Sequence, residues 1–153
     1  MPKPKLNPKP SLKQAVNWAD QVHAILRAQN MRQIAYVPDT GLKNLIERVR
    51  ADKQMRAVPL TTEEEGIALA TGAWLGGERT TLLLQSSGVG NCINMLGMAI
   101  ECRIPLLMIV TMRGQWGEFN PWQMPMAQAT APVLTAMGVI VQPVSDVDDV
   151  AAT

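Results

Sequence analysis

PLTTEEEGIALATGAW, residues 59–74, joins a short strand to a slender helix. The apolar residues 57–60 predict the strand, and Thr61 or Thr62 can cap the helix, with a glutamate three residues later completing a capping box. The helix body carries Gly or Ala at five positions, although glycine costs about 1 kcal/mol against alanine there. We therefore expect another backbone to approach this helix closely, either that of its own sheet or that of a second subunit.

The composition is that of one globular domain. The chain has 153 residues, of which 47% are hydrophobic and 18% charged, so it can build a sizeable core. The net charge of +1 gives no reason to expect nucleic-acid binding. No apolar run reaches the roughly 18 residues that a membrane span needs. Because no signal peptide is evident either, we expect a cytoplasmic protein without membrane contact.

The termini and the rare residues add few constraints. Residues 1–10 hold four prolines and three lysines and predict a flexible arm, and residues 11–153 form the domain. Cys92 and Cys102 lie on one predicted helix, where a disulfide is geometrically implausible, so we predict buried free thiols. The single histidine, His23, lies on or beside the apolar stripe of a helix that Ser11 can cap, and we interpret it as structural.

Apolar strands alternate with helices along the chain. The predicted strands cover residues 33–37, 57–60, 80–85, 104–111 and 139–144. Residues 86–91 predict a tight loop, residues 112–128 a long loop, and residues 132–137 a short helix. This alternation predicts an α/β fold with a doubly wound, mainly parallel sheet.

Four polar or glycine-rich segments follow the predicted strands, at residues 38–40, 62–63, 86–91 and 111–114. Ligands of doubly wound sheets bind at the carboxyl ends of the strands, so we expect these segments to share one rim.

Common site motifs are weak or missing. Gly88-Val89-Gly90 lacks the third glycine of a dinucleotide fingerprint, because position 93 is Ile93, and no acidic residue ends the next strand. The glycine-rich segment can still hold an anion on backbone N–H groups. No cluster of Cys and His predicts a metal site, and the position of the single histidine excludes a Ser-His-Asp triad.

Taken in order, PDT at 38–40, TEEEGIALATG at 62–72, SSGVGN at 86–91 and TMRG at 111–114 resemble the pyrimidine-binding domain of thiamine-diphosphate-dependent decarboxylases. The resemblance covers residues 34–144 and is strongest to phosphonopyruvate decarboxylases and the α subunit of sulfopyruvate decarboxylase. It implies that Glu63, nine residues before Gly72, hydrogen-bonds N1′ of the cofactor's aminopyrimidine and assists proton transfer there. The alternative for Glu63 is a capping carboxylate.

The resemblance also implies roles for other residues of the rim. Asp39 would face the reacting centre as a second catalytic residue, unless it is a helix N-cap. Pro38 and Gly88 would contact the cofactor. Arg113 would bind a sulfonate or phosphonate with a two-pronged contact, unless it forms an ion pair with Glu118 or Glu101.

Three further residues have candidate roles at the same rim. Ser87 and Asn91 would hydrogen-bond the substrate or cofactor, or else cap the following helix. Gln123 and the loop from Trp116 to Trp122 would cover the site.

The Gly-Asp-Gly motif that holds the diphosphate and Mg²⁺ in this superfamily is absent from the sequence. The resemblance therefore implies that a separate β subunit holds thiamine diphosphate through Mg²⁺, in an α/β hetero-oligomer. The chain also ends where the domain would continue its last helix, which suggests a truncated C-terminus.

The expected reaction converts 3-sulfopyruvate to sulfoacetaldehyde and CO2. Phosphonopyruvate, or another small anionic 2-oxo acid, is the alternative substrate. An alternative of another class is a non-catalytic α/β domain for pairing or nucleotide binding.

Overall fold

The computed structural model describes residues 17–150 and residue 153. The predicted arm at residues 1–10 and the Ser11 cap lie outside the described residues. The strands are β1 Met31–Tyr36, β2 Arg56–Pro59, β3 Arg79–Gln85 and β4 Leu107–Thr111. The α-helices are α1 Trp18–Ala28, α2 Lys43–Ala51, α3 Glu63–Leu75, α4 Ser86–Glu101 and α5 Met124–Ala136. Short 3-10 helices cover Pro121–Gln123 and Val147–Asp149.

The four strands form one parallel sheet in the order β2-β1-β3-β4. The chain builds outward from β1 to β2 and then returns to place β3 on the other side of β1. The connections that follow β1 and β3 therefore leave in opposite directions, which creates a switch point between the two strands. Crevices at such points are where doubly wound sheets bind ligands.

Helices cover both faces of the sheet. On one face, Ile34 and Leu83 pack in a buried cluster with α1 and α2. On the other, Leu82 and Leu84 pack in a second cluster with α3, α4 and α5. Neighbouring residues of β3 thus enter opposite cores, as expected of a strand that is buried on both sides. The predicted doubly wound parallel fold is confirmed.

The slender helix α3 contacts its own sheet at Gly66. A Cβ atom at this position would lie 2.4 Å from Leu82 Cδ1 and 2.9 Å from Leu60 Cδ1. Nothing lies within 4 Å of a Cβ at Gly72, which lines a cavity of about 460 Å³. The first half of α3 is therefore thin because the sheet is close, whereas the second half faces open space.

The two ends of α3 differ in how they follow the sequence. At the start, the hydroxyl of the N-cap residue Thr62 does not cap the helix, and Glu65 Oε2 accepts a hydrogen bond from the N–H of Thr61, the residue before the N-cap, at 2.9 Å. The N-cap is thus one of the two predicted threonines, but the predicted capping box is not formed. At the end, Gly77 has φ +84°, and the Glu78 N–H donates to the Ala73 carbonyl at 2.8 Å. This is a left-handed glycine cap, which the Gly76-Gly77 pair allows.

Three predicted boundaries are wrong. Residues 86–91 are the first turns of α4 rather than a loop, because Gly88 and Gly90 leave room for neighbouring side chains instead of making a turn. Helix α5 begins at Met124, and Pro132 lies inside it. Residues 139–144 form no strand within the described part of the chain: Val139 and Val141 pack against the second core cluster without pairing with β4.

The cysteines and the histidine have separate environments. Cys92 is buried and Cys102 is exposed, so the prediction of buried thiols is correct only for Cys92. His23 Nε2 lies 3.0 Å from Asp52 Oδ2 and joins α1 to the end of α2, which agrees with a structural role. Among the described residues, no helix combines the length and apolarity that crossing a membrane requires.

Substitutions at the two glycines of α3 test this packing. We expect Gly72→Ala to raise the free energy of unfolding by about 1 kcal/mol, because alanine favours the helix and its methyl group meets no neighbour. Gly66→Val should lower it by about 1–3 kcal/mol through overpacking against Leu82. Urea unfolding followed by circular dichroism measures both. Equal effects at the two positions would contradict the contact at Gly66.

Candidate active site

Glu63, the first residue of α3, holds the starts of two helices together. Its Oε2 accepts a hydrogen bond from Asn91 Nδ2 at 2.9 Å. The rest of its carboxylate lies against Gly88 of α4, where a Cβ atom would come within 2.2 Å of Glu63 Oε1. Gly88 is therefore required for the carboxylate to take this position. Asn91, for which a contact with substrate or cofactor is predicted, donates to Glu63 and so orients its carboxylate.

One oxygen of the Glu63 carboxylate remains available. Among the described residues, Oε1 has no hydrogen-bond partner, whereas Oε2 is held by Asn91. The side chain is half-buried, and the first turn of a helix favours a negative charge. The arrangement is a carboxylate that is fixed through Oε2, whereas Oε1 lies against Gly88 and is not engaged in a hydrogen bond within the described part of the chain.

Asp39 ties together the carboxyl ends of three strands. Its side chain accepts hydrogen bonds from Gln85 Nε2 at 2.9 Å, Thr111 Oγ1 at 2.8 Å and the Gly41 N–H at 3.1 Å. The N-cap residue of α2 is Leu42, so the alternative of Asp39 as a helix N-cap is wrong. Asp39 stands at the switch point between β1 and β3, with its orientation set by three donors.

Gln85, the last residue of β3, connects Asp39 to Arg113 and Ser87. Its Oε1 accepts from Ser87 Oγ at 2.7 Å and lies 3.5 Å from Arg113 Nη1. Because two donors face Oε1, the amide nitrogen must face Asp39. Sequence reasoning missed Gln85, although a polar residue that ends an apolar strand was the available signal.

Arg113 forms the ion pair with Glu118 that was the alternative to substrate binding. Arg113 Nε and Nη2 donate to the two carboxylate oxygens of Glu118 at 2.7 and 2.6 Å. Its backbone N–H donates to Ser86 Oγ at 3.0 Å. A guanidinium has five N–H donors. Glu118 takes two and Gln85 one, so two remain and the ion pair does not exclude a further anion.

The charge pair shifts the pKa of both partners. Hydrogen bonds from Arg113 lower the pKa of Glu118 to about 2, helped by the Asn120 and Gly114 N–H groups. The pKa of Arg113 is raised in turn by its hydrogen bonds to Glu118. From the sequence, Glu118 was named only as an alternative ion-pair partner of Arg113.

Cys92 is buried in the second core cluster and is not a nucleophile. Burial raises the pKa of its thiol to about 12, and the nearby charges of Glu63 and Glu64 act in the same direction. The thiol is therefore neutral at physiological pH, where only a thiolate would react.

Two predicted site residues, Pro38 and Gln123, belong neither to the contacts around Glu63 nor to the hydrogen bonds around Asp39. Pro38 lines a cavity of about 350 Å³ between the end of β1 and α2, together with Asp39 and Lys43. Gln123 ends the 3-10 helix that leads into α5 and is half-buried. The rim thus contains a Glu63 cluster (Glu63, Gly88, Asn91) and an Asp39 network (Asp39, Gln85, Ser87, Thr111, Arg113), joined through the first turn of α4. Within the described residues, no group of three or more His, Cys, Asp or Glu side chains is placed to hold a metal ion.

Comparison with known proteins assigns the chain to a family. Residues 16–139 match the thiamine pyrophosphate enzyme N-terminal TPP binding domain. The chain belongs to this family. Its resemblance to thiamine-diphosphate-dependent decarboxylases is therefore confirmed, and Glu63 lies within the matched region.

The chain is similar to several sulfopyruvate and phosphonopyruvate decarboxylases. The chain is 38% identical over 120 residues to the sulfopyruvate decarboxylase subunit alpha of Methanococcus maripaludis, covering 78% of this chain and 72% of the relative. It is 31% identical over 124 residues to the sulfopyruvate decarboxylase of Methanosarcina acetivorans, covering 80% of this chain but only 32% of the relative. It is 40% identical over 104 residues to the phosphonopyruvate decarboxylase of Streptomyces viridochromogenes, covering 67% and 26%.

Solved structures agree on the fold. The thiamine diphosphate-dependent 4-hydroxybenzoylformate decarboxylase of Rhodococcus jostii RHA1 superposes with a TM-score of 0.57 at 20% identity, covering 65% of this chain and 19% of that one. The matched region is 19% of that longer chain, and the likeness shows the fold.

The low pKa of Glu118 predicts a pH-dependent contribution to stability. The carboxylate has its ordinary pKa of 4.5 in the unfolded chain and about 2 in the folded one, so its stabilising effect is present above pH 4.5 and is lost as pH falls toward 2. We expect wild type to exceed Glu118→Gln in unfolding free energy at pH 6–7, with the difference shrinking below pH 4.5. Urea titrations across this range measure it. A difference that does not change with pH would contradict a charged pair.

Proposed function

We propose that this chain is the α subunit of a thiamine-diphosphate-dependent decarboxylase that converts 3-sulfopyruvate to sulfoacetaldehyde and CO2. The observation that carries the proposal is the Glu63 carboxylate, fixed by Asn91 and Gly88 at the rim of a domain of this family. The 38% identity to the Methanococcus maripaludis subunit alpha supports the substrate.

Glu63 fits the cofactor that the family implies. A carboxylate with one oxygen held and one free can accept or share a proton at N1′ of the aminopyrimidine. Bound thiamine diphosphate supplies the nucleophilic carbon and accepts the electrons of the bond that breaks when CO2 leaves. The contribution of Glu63 is to hold a proton at N1′, and Gly88 gives it the room to do so.

Asp39 and Gln85 act on the substrate side. Asp39 stands at the switch point, where it can move a proton at the reacting centre. Gln85 positions Asp39, because Ser87 and Arg113 hold its amide in one orientation. Ser87 and Asn91 therefore serve this site chiefly through Gln85 and Glu63. Pro38 lines a cavity together with Asp39, and we propose Gln123, at the end of the loop after β4, as a further substrate contact.

Arg113 provides the anion contact, through the two N–H groups that Glu118 and Gln85 leave available. Glu118 cancels one unit of charge beside it, and Asp39 and Glu63 add negative charge to the same rim. A sulfonate carries one negative charge, whereas a phosphonate carries up to two. Within this chain the charge balance therefore favours sulfopyruvate.

Phosphonopyruvate remains the second candidate. The 40% identity to the Streptomyces viridochromogenes enzyme supports it. A competition between the two substrates at the same concentration separates them, since the preferred one has the higher kcat/KM.

The cofactor's diphosphate and Mg²⁺ would be held by a β subunit. The sequence has no Gly-Asp-Gly, and the chain covers only 32% of the Methanosarcina acetivorans relative. The relatives named subunit alpha support a partner chain. An α/β hetero-oligomer in the cytoplasm is the assembly we propose.

The central experiment uses this chain co-expressed with a partner that carries Gly-Asp-Gly. We expect the pair, and not this chain alone, to bind thiamine diphosphate with Mg²⁺ by calorimetry and to release CO2 from 3-sulfopyruvate. Glu63→Gln should lower kcat by about 10²–10⁴, the usual contribution of a general acid or base. Undiminished turnover by Glu63→Gln would contradict its role, and absence of cofactor binding in every combination would refute the thiamine enzyme.

Two alanine substitutions in α4 test whether Gly88 gives Glu63 its position. Gly88→Ala places a methyl group where the Glu63 carboxylate lies, so we expect a loss of kcat approaching that of Glu63→Gln. Gly97→Ala in the same helix is the matched control, because nothing lies within 4 Å of its added methyl group. Circular dichroism should show both variants folded. Equal activity of the two variants would contradict the requirement for glycine at position 88.

A further inference from the structure

The loop after β4 exposes an unusual share of the aromatic residues. Four tryptophans, one tyrosine and one phenylalanine are all that the chain contains. Three of them lie in residues 116–122: Trp116 is 96% exposed, Phe119 82% and Trp122 71%. We call residues 115–122 the aromatic loop. Contiguous exposed apolar groups of this size mark interaction sites rather than ordinary surface.

Hydrogen bonds to the buried side chain of Glu118 fix the shape of the aromatic loop. Glu118 lies at its centre with a side chain only 7% exposed. The carboxylate accepts from the Arg113 guanidinium and from the N–H groups of Gly114 and Asn120 at 3.3 and 2.9 Å. Gly114 and Gly117 take left-handed conformations, with φ +73° and +58°. A buried polar anchor therefore turns the loop and presents its aromatic side chains outward.

The exposed rings bury little of their surface on the chain that carries them, at 71–96% exposure. The Arg113 guanidinium lies 5.9 Å from the centre of the Phe119 ring, which places this ring next to the Arg113–Glu118 pair. Tryptophan is the residue type most enriched at the centres of protein interfaces, and a preorganised loop loses little conformational entropy on binding.

We propose that the aromatic loop is the docking surface for the chain that carries the diphosphate-binding domain. This inference rests on the proposed function. The loop starts at the carboxyl end of β4 and ends at Gln123, so it borders the rim on which Asp39 and Arg113 lie. The site is incomplete without a second domain, and a domain that completes it must cover this rim. The loop is the largest group of exposed aromatic residues in the described part of the chain.

The test uses the co-expressed pair of this chain and a chain that carries Gly-Asp-Gly. In the loop variant, Trp116→Ser and Trp122→Ser are combined. The control is Ile140→Ser, which removes an apolar side chain that is 84% exposed and lies after α5, outside the aromatic loop. Trp116→Tyr keeps an aromatic surface and serves as the rescue variant. Because these side chains are exposed, circular dichroism should show all variants folded.

We expect the loop variant to weaken association at least 100-fold by analytical ultracentrifugation, while Ile140→Ser stays within about twofold of wild type. Trp116→Tyr should retain most of the affinity. Tryptophan emission of the wild-type chain should shift to shorter wavelength when the partner is added, and this shift should be absent in the loop variant.

Three results would overturn the proposal. The first is unchanged association of the loop variant with normal turnover. The second is unchanged association with lowered kcat, which would make the loop a cover of the site. The third is failure of the wild-type chain to bind the partner. Failure of the proposed function gives a different result: the pair associates through the loop but does not bind thiamine diphosphate.

Discussion

The carboxylate of Glu63 occupies the space that a side chain at position 88 would fill. This contact brings the first turns of α3 and α4 together at one edge of the sheet. Asn91, one turn further along α4, then reaches the same carboxylate. The glycine-rich start of α4 is therefore explained by what lies against it. Its glycines give room to neighbours, and the backbone there is an ordinary helix.

The order β2-β1-β3-β4 places a second acidic group at the same edge. Asp39 and Gln85 meet because β1 and β3 are neighbours, although 46 residues separate them in sequence. From Gln85 the hydrogen bonds continue to Arg113 at the end of β4, and Glu118 balances the arginine. Glu118 therefore balances the charge of Arg113, while the carboxylates of Asp39 and Glu63 leave the rim net negative.

In the proposed enzyme this rim is half of a site. Glu63 would face the pyrimidine beside Asp39 and Arg113, and the Gly-Asp-Gly for the diphosphate, which this sequence does not contain, would come from the proposed β subunit. The same Glu118 that balances Arg113 also anchors the aromatic loop. One buried carboxylate therefore holds both Arg113 and the backbone of the aromatic loop, so the proposed anion contact and the proposed docking surface would share a structural element.

The sequence by itself determined the alternation of strands and helices, the doubly wound parallel sheet and the four segments of the rim. It did so because apolar runs and caps act within a few residues. It also singled out Glu63, Asp39 and Arg113, through motif resemblance. Only the tertiary structure decided that residues 86–91 are helical, that residues 139–144 stay outside the sheet, and that Gln85 joins Asp39 to Arg113. These depend on which side chain fills the space beside a glycine and which strands become neighbours. Contacts across tens of residues leave no local pattern, so the folded chain alone reveals them.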